Sequence, residues 1–258
     1  MSIPKIIHLC WFGKGEYPAL ARMCIDSWHK FLPDYEIKIW NEETFDINSN
    51  EYTRMAYGKK KWAFVSDYVR LKALYEEGGV YMDTDLEVIK NFTYLLENRK
   101  FVSSYIEGGL ITAGFIASEP HHRFIKEIKD YYDNQANNIK DGKTVDLVMN
   151  PLIFSYIAKR QYGFSVGERQ YITDELTILP LEYFMPYRKV PFGKNKYAHS
   201  KYKLTSNTYT IHHDMGSWAK TNNTRKILLG LARLVFPETI YNGIKIRGNR
   251  KRINNSCF

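Results

Sequence analysis

The chain has little cysteine and no long apolar run. Its three cysteines, Cys10, Cys24 and Cys257, are odd in number and lack framework spacing, which argues against a disulfide scaffold or a zinc site. No stretch approaches the roughly 18 apolar residues of a membrane span. There is no internal repeat and no low-complexity tract. Met1 to Trp11 carries Pro4 and His8 inside its apolar stretch and offers no small-residue cleavage site. No signal peptide is therefore expected, and a reduced, cytoplasmic protein is the default reading.

What is present is an ordinary globular composition. With 258 residues, 44% hydrophobic and 25% charged, the chain can bury a substantial core, so wholesale disorder is excluded. The net charge of +9 suggests nucleic acid until it is located. Residues 219–258 hold nine Lys and Arg against Glu238 alone, which leaves 28 basic and 27 acidic side chains in the first 218 residues. The body is nearly neutral and offers no long basic groove, so no nucleic-acid partner is expected. A boundary is placed here, giving a body over 1–218 and a basic extension over 219–258.

The order of elements predicts an α/β fold. Ile3 to Trp11 reads as a buried strand that stops at Gly13 and Gly15, Ala19 to Phe31 as a helix closed by Pro33, and Tyr35 to Trp40 as an alternating strand. Strand, helix, strand implies parallel pairing, with ligands beyond the carboxyl ends of the strands. Lys60 to Glu77 lacks Gly and Pro and repeats its apolar residues at helical spacing; Gly78-Gly79 ends it. Val80 to Val88 follows as one strand whose period of two puts Asp83 and Asp85 on the same, solvent-facing side. Two short strands around Gly108-Gly109 are expected within 101–118, then a helix over 122–132, a helix over 146–160 broken near Pro151, and late strands at 176–180 and 208–212.

Asp83-Thr84-Asp85 carries the strongest chemical signal. Two carboxylates at a strand end can offer oxygen ligands to one hard cation, Mn²⁺ or Mg²⁺, with positions left for phosphate oxygens. A solvated acidic edge is the plain alternative. One helix earlier, Asp67 and Arg70 share a face, either as a simple intrahelical ion pair or as a carboxylate and guanidinium able to share the hydroxyls of one ligand. Trp11, beside Gly13, is either a packed ring or a platform for a nucleobase. In His212-His213-Asp214-Met215-Gly216-Ser217-Trp218 the adjacent histidines point to opposite faces, so at most one reaches a given metal. Ser217 and Trp218 can donate hydrogen bonds to an anionic leaving group.

These residues bring a resemblance. Ile3-Pro4-Lys5-Ile6-Ile7-His8 with Trp11-Phe12-Gly13, Ser27-Trp28, Pro33-Asp34-Tyr35-Glu36 and Trp40-Asn41 is similar to the opening of glycosyltransferase family 32. Phe64 to Arg70, Leu74-Tyr75 and Gly78 to Asp85 resemble its central DxD signature, and Leu179-Pro180, Tyr183-Phe184 and the run from His212 to Trp218 its closing segments. The resemblance covers most of residues 3–218. It implies a GT-A type fold, a mixed and mostly parallel sheet flanked by helices, which binds a nucleotide-sugar donor and a divalent metal and retains the donor's anomeric configuration. The clostridial toxin glucosyltransferase domains look like distant relatives. Their pattern implies base stacking at Trp11, donor-sugar contacts at Asp67 and Arg70, metal and sugar contacts at Asp83 and Asp85, and diphosphate contacts at Ser217 and Trp218. They carry other residue types at the late metal position, which we assign here to His213 over His212. A saccharide or lipid-linked saccharide acceptor in bacterial capsule, lipopolysaccharide or exopolysaccharide synthesis follows by analogy, with a UDP-sugar favoured over GDP-mannose. Two other classes compete: a nucleic-acid-binding protein and a metal-dependent phosphoester hydrolase.

The basic extension reads Arg225 to Phe236 as a helix with Lys226, Gly230 and Arg233 on one narrow face. At about 1.5 Å per residue it spans roughly 18 Å, too short to cross a bilayer. With Arg247, Arg250, Lys251 and Arg252 it suits a peripheral position on the anionic inner face of the cell membrane, or else plain packing on the body.

Overall fold

The structure is a computed structural model that describes residues 3–143, 145, 148–167, 169–189 and 198–213. Ser217, Trp218 and the basic extension, with every expectation attached to them, lie outside the described residues.

The chain opens with β1 (Ile6–Cys10), α1 (Ala19–Phe31) and β2 (Glu36–Trp40), and β1 and β2 pair in parallel. Then come α2 (Glu51–Gly58), α3 (Trp62–Glu77), β3 (Gly79–Met82) and β4 (Leu86–Val88). They are followed by β5 (Phe101–Ser104), β6 (Phe115–Ser118), α4 (Arg123–Lys140), α5 (Asn150–Tyr162), β7 (Tyr171–Ile172), β8 (Thr177–Leu179), α6 (Leu181–Phe184) and β9 (Thr210–His212). Seven strands form one sheet in the order β2-β1-β3-β6-β5-β8-β7, and five of them run in one direction, β6 and β7 opposing. This is the mixed, mostly parallel sheet flanked by helices that was expected.

Because side chains alternate along a strand, the sheet feeds two cores. Ile7, Leu9, Val80, Met82, Phe115 and Ala117 join Trp28 of α1 on one face. Tyr81, Phe101, Ile116 and Ile178 join α2 to α5 on the other. The double glycine makes β3 fit beside β1. Gly79 has φ +96, and a Cβ there would lie 2.6 Å from the Ile6 carbonyl oxygen. His8, fully buried beneath it, faces the Gly78 carbonyl oxygen through Nε2 at 2.8 Å, while Nδ1 accepts from the Trp40 indole N–H at 3.1 Å. Burial holds its imidazole below the ordinary range, which matches this neutral, one-donor and one-acceptor role.

Two expectations need correction. Val80 to Val88 is not one strand: β3 ends at Met82, Asp83-Thr84-Asp85 makes a turn closed by the Leu86 N–H on the Asp83 carbonyl at 2.9 Å, and β4 restarts in a separate two-stranded sheet with β9. The chain must turn there to change partners from β6 to β9. Pro151 does not break a helix; it occupies the first turn of α5, where a proline forfeits no helical hydrogen bond. The start assigned at 146 lies outside the described residues.

Candidate active site

All the parallel strands of the main sheet deliver their carboxyl ends to one edge, and the acidic turn sits there at the end of β3. The turn is anchored from three sides. The Asp83 N–H donates to the Gly114 carbonyl at 2.9 Å, and the His213 N–H donates to the Asp85 carbonyl at 2.9 Å. From the far face α1 holds β4: the Trp28 indole donates to the Leu86 carbonyl at 2.7 Å, and Ser27 Oγ accepts the Val88 N–H at 2.9 Å. These contacts fix both carboxylates without using their oxygens.

The carboxylate oxygens meet an imidazole. His212 Nε2 lies 3.2 Å from Asp85 Oδ1 and 3.7 Å from Asp83 Oδ2, and one ligand atom from each of the three residues falls within 4.8 Å of the others. Two carboxylates and one imidazole are a donor set suited to Mn²⁺ or Mg²⁺, with nitrogen favouring the former. The sequence favoured His213 for this place, and the structure brings His212 to the acids instead. Register pairs Leu86 with His212, which turns the His212 ring toward the acids, and alternation sends His213 to the opposite side. There His213 is fully buried, with Nε2 2.9 Å from Glu87 Oε2 and Nδ1 3.3 Å from the Tyr202 hydroxyl. Glu87 also meets His199 Nε2 at 2.9 Å. Burial pushes the Glu87 carboxyl up, but hydrogen bonds from His213 and His199 outweigh it and hold the group below the usual carboxylate range.

Arg70 and Asp67 form the floor. Both are buried on α3, with Arg70 Nη2 3.0 Å from Asp67 Oδ1 and Nη1 3.5 Å from Asp83 Oδ1. Nη1 also donates to the Ala113 carbonyl at 2.6 Å, and the guanidinium lies over the Tyr81 ring, 4.3 Å from its centroid. Tyr81 in turn donates its hydroxyl to Asp83 Oδ1 at 2.8 Å, and burial pushes that hydroxyl far above its ordinary pKa, so it remains a donor. Asp67 takes a second hydrogen bond from Asn150 Nδ2 at 3.0 Å. Burial raises the Asp67 carboxyl to about 7, with Arg70 opposing and Asp83 adding to the rise. The pair is therefore part of a chain of contacts that ends on Asp83, not an isolated intrahelical bridge.

Trp11 follows β1 at the same sheet edge, half-buried, with its ring tilted on Tyr17 at 4.9 Å and its N–H donated to the Gly15 carbonyl at 2.5 Å. Gly13, at φ +99, is demanded by Trp62, whose indole atoms would stand 2.8 Å from a Cβ. Asn150 and Gly114 carry no signal in the sequence alone. Asn150 caps nothing with its side chain; it is placed by Pro151 at the start of α5 and aims its amide at Asp67. Gly114 leaves the space that Asp83 fills, since a Cβ would lie 2.8 Å from Asp83 Oδ2 and 3.1 Å from Met185 Cε. Gly114→Ala should displace the Asp83 carboxylate, lowering kcat about tenfold and stability by about 1–3 kcal/mol. Steady-state rates beside a melting curve check this, and unchanged values in both would show that the acid has room to spare.

The class of protein follows from the match of this edge to a known family. Residues 18–102, from the entry into α1 to the start of β5, match the family described as glycosyltransferase sugar-binding region containing DXD motif. Asp67, Arg70, Asp83 and Asp85 all lie inside that span. The chain is a glycosyltransferase with a DXD-type sugar-binding region. It is 24% identical over 247 residues to the uncharacterized glycosyltransferase L373 of Acanthamoeba polyphaga mimivirus, covering 91% of each chain. It is 28% identical over 133 residues to inositol phosphoceramide mannosyltransferase 3 of Schizosaccharomyces pombe, and 28% identical over 123 residues to lactosylceramide 4-alpha-galactosyltransferase of Mus musculus. The matches cover 46% and 47% of this chain but only 35% and 32% of those relatives. Among solved structures, the PaToxG glycosyltransferase is similar at 20% identity and TM-score 0.46, over 63% of this chain and 70% of that one. Galactosyltransferase LgtC in complex with donor and acceptor sugar analogs is similar at 14% identity and TM-score 0.43, over 92% and 99%.

Proposed function

We propose that the chain moves a hexose from a nucleoside diphosphate sugar, a UDP-sugar before GDP-mannose, onto a saccharide acceptor, with retention of anomeric configuration and with Mn²⁺ or Mg²⁺ held by Asp83, Asp85 and His212. The observation that carries this reading is the juxtaposition of that triad with the buried Arg70–Asp67 floor. A bound divalent cation supplies positive charge to the departing diphosphate. The chain's own residues do the rest. Tyr81 and Arg70 fix the Asp83 carboxylate, so its orientation is set before substrate arrives. Asp67 and Arg70 offer an acceptor and a donor for sugar hydroxyls, and Trp11 offers a ring face for the base. Two relatives are named for glycolipid acceptors, which supports a lipid-linked saccharide here and gives the basic extension a use at an anionic membrane surface. Synthesis of a cell-surface polysaccharide is the setting this reading favours.

The test is a panel of nucleotide sugars scored for nucleoside diphosphate release with Mn²⁺, with Mg²⁺ and with chelator. Release from one donor that chelator abolishes supports the reading; release from simple phosphate esters instead would replace it with a hydrolase. The histidine assignment has its own check. His212→Ala should raise the Mn²⁺ concentration for half-maximal rate by roughly 10- to 100-fold. His213→Ala should leave that concentration alone and lower stability by about 1–3 kcal/mol, because Glu87 and Tyr202 lose a buried partner. A reversed pattern would restore His213 as the ligand.

A further inference from the structure

A cavity of about 510 Å³ opens at the edge of the main sheet opposite the acidic turn. Asn98, Arg99 and Lys100 line one side and lead directly into β5. Ile172, Thr173 and Asp174 line the other side, in the hairpin that joins β7 to β8. β5 and β8 are parallel, and β5 runs the same way as β3. The cavity therefore stands at the amino-terminal ends of strands whose carboxyl ends face the acidic turn. The length of β5 alone, Phe101–Ser104, separates the two edges by about 13 Å.

Its walls are fixed by hydrogen bonds. The Thr173 N–H donates to the Leu176 carbonyl at 2.8 Å, and the Leu176 N–H donates to Thr173 Oγ1 at 3.0 Å, which closes the hairpin. Lys100 Nζ ties that hairpin to the facing wall through Glu175, and the Glu119 N–H holds the Lys100 carbonyl at 2.8 Å. Asn98 adopts the left-handed conformation, φ +56, which asparagine tolerates better than most residues. Within this frame the charges do not close. Lys100 has Glu175 as its counter-ion. Arg99, half-buried, has none: among the described residues its guanidinium makes no ion pair, and its Nη1 is shut off from solvent without a hydrogen-bond partner. A shielded guanidinium nitrogen in this state is costly, and an anion on the accessible edge of the same delocalised group offsets the cost. Asp174 is exposed on the rim, and Ile172 is 56% exposed beside it.

We propose that this cavity binds a sugar monophosphate, with the phosphate group seated on Arg99. The proposal does not depend on the transfer reaction, whose residues gather at the other edge. Each part of such a ligand has a counterpart in the lining. A guanidinium presents paired N–H donors that match two phosphate oxygens, and the Lys100 ammonium, which has three protons and gives one to Glu175, adds a second cation. Asp174 offers an acceptor and Asn98 an amide to ring hydroxyls, while Ile172 gives the C–H face of the ring an apolar surface. The volume is that of a small-ligand site, and the Asp174 carboxylate disfavours a second phosphate on the same ring.

The experiment is calorimetric titration of the full chain with glucose 6-phosphate, inorganic phosphate and glucose. Chelator is present throughout, so that no metal draws phosphate to the acidic turn. Glucose 6-phosphate should bind at least about fivefold more tightly than inorganic phosphate, and glucose alone should not bind. Arg99→Gln should weaken glucose 6-phosphate by about tenfold or more, and Arg99→Lys, which keeps the charge but loses the fork, should fall in between. Asp174→Asn should weaken the sugar phosphate severalfold without weakening inorganic phosphate. Asp83→Asn, at the other edge, should bind as the wild type does. Without ligand, Arg99→Gln should melt no lower than the wild type, since the arginine has no partner to lose. Absence of glucose 6-phosphate binding, or equal affinity for it and for inorganic phosphate, would overturn the site. So would binding that Asp83→Asn abolishes and Arg99→Gln retains, because the ligand would then sit at the acidic turn. A lower melting temperature for unliganded Arg99→Gln would also overturn it, by showing that the guanidinium already serves the fold.

Discussion

Asp83→Asn and Asp85→Asn are each expected to cut transfer by at least about 10²–10³-fold while the protein stays folded. The size follows from what each carboxylate does. With His212 they offer three ligand atoms within 4.8 Å of one another, and asparagine keeps the shape but removes the charge that balances a divalent cation. The two variants should differ in stability. Asp83 is half-buried and takes a hydrogen bond from Tyr81 and an ion pair from Arg70, so a neutral amide in its place leaves the buried guanidinium short of one partner. Asp85 is buried beside His212, whose Nε2 lies 3.2 Å from its Oδ1, and an amide can keep that contact, while its backbone carbonyl holds the His213 N–H whichever side chain is present. Asp83→Asn should therefore lower the melting temperature more than Asp85→Asn does. Nucleoside diphosphate release at saturating Mn²⁺, beside a thermal melt, measures both. Either variant keeping more than a tenth of wild-type turnover would show that the acids do not hold the metal.

Much of this arrangement was legible along the chain, and the failures have a common cause. The bounds of α1 (Ala19–Phe31) and the span of α3 (Trp62–Glu77) follow from local signals: uninterrupted helix formers, Pro33 after one helix and Gly78 after the other. The pairing of Asp83 with Asp85, and of Asp67 with Arg70, is likewise written in spacings of two and three. What spacing does not contain is a partner. The break after Met82 exists because β4 pairs with a strand more than 120 residues later, so a period-two reading ran the strand straight through. The choice between His212 and His213 depends on that same register. Gly114 and Asn150 matter only for what lies 2.8 and 3.0 Å away, and a lone Gly or Asn in a sequence announces neither.

The floor of the site yields the other large effect, and its sign depends on pH. Asp67, raised by burial from 3.8 to about 7, keeps its proton in the folded chain over a range where the unfolded chain has released it. The stability that this contributes is complete below about pH 4 and is lost as pH rises through 7. An asparagine at this position mimics the protonated group at every pH and keeps an oxygen for Arg70 and Asn150. Asp67→Asn should thus match the wild type in stability at and below about pH 4 and exceed it by about 1–3 kcal/mol at pH 8. In the same pH 8 samples its transfer should fall by about 10²-fold, since the variant loses the charged acceptor offered to sugar hydroxyls. Arg70→Lys should lose as much, because one ammonium cannot serve Asp67, Asp83 and the Ala113 carbonyl at once. Combined, the two losses should fall well short of additive, as expected of residues that serve one ligand. Melting curves from pH 4 to 8, beside transfer rates for the two single variants and the double, separate the cases. Parallel melting curves for Asp67→Asn and wild type would mean that Asp67 is ionised throughout. Additive rate losses would mean that the two side chains serve the reaction independently, since a shared substrate contact can be lost only once.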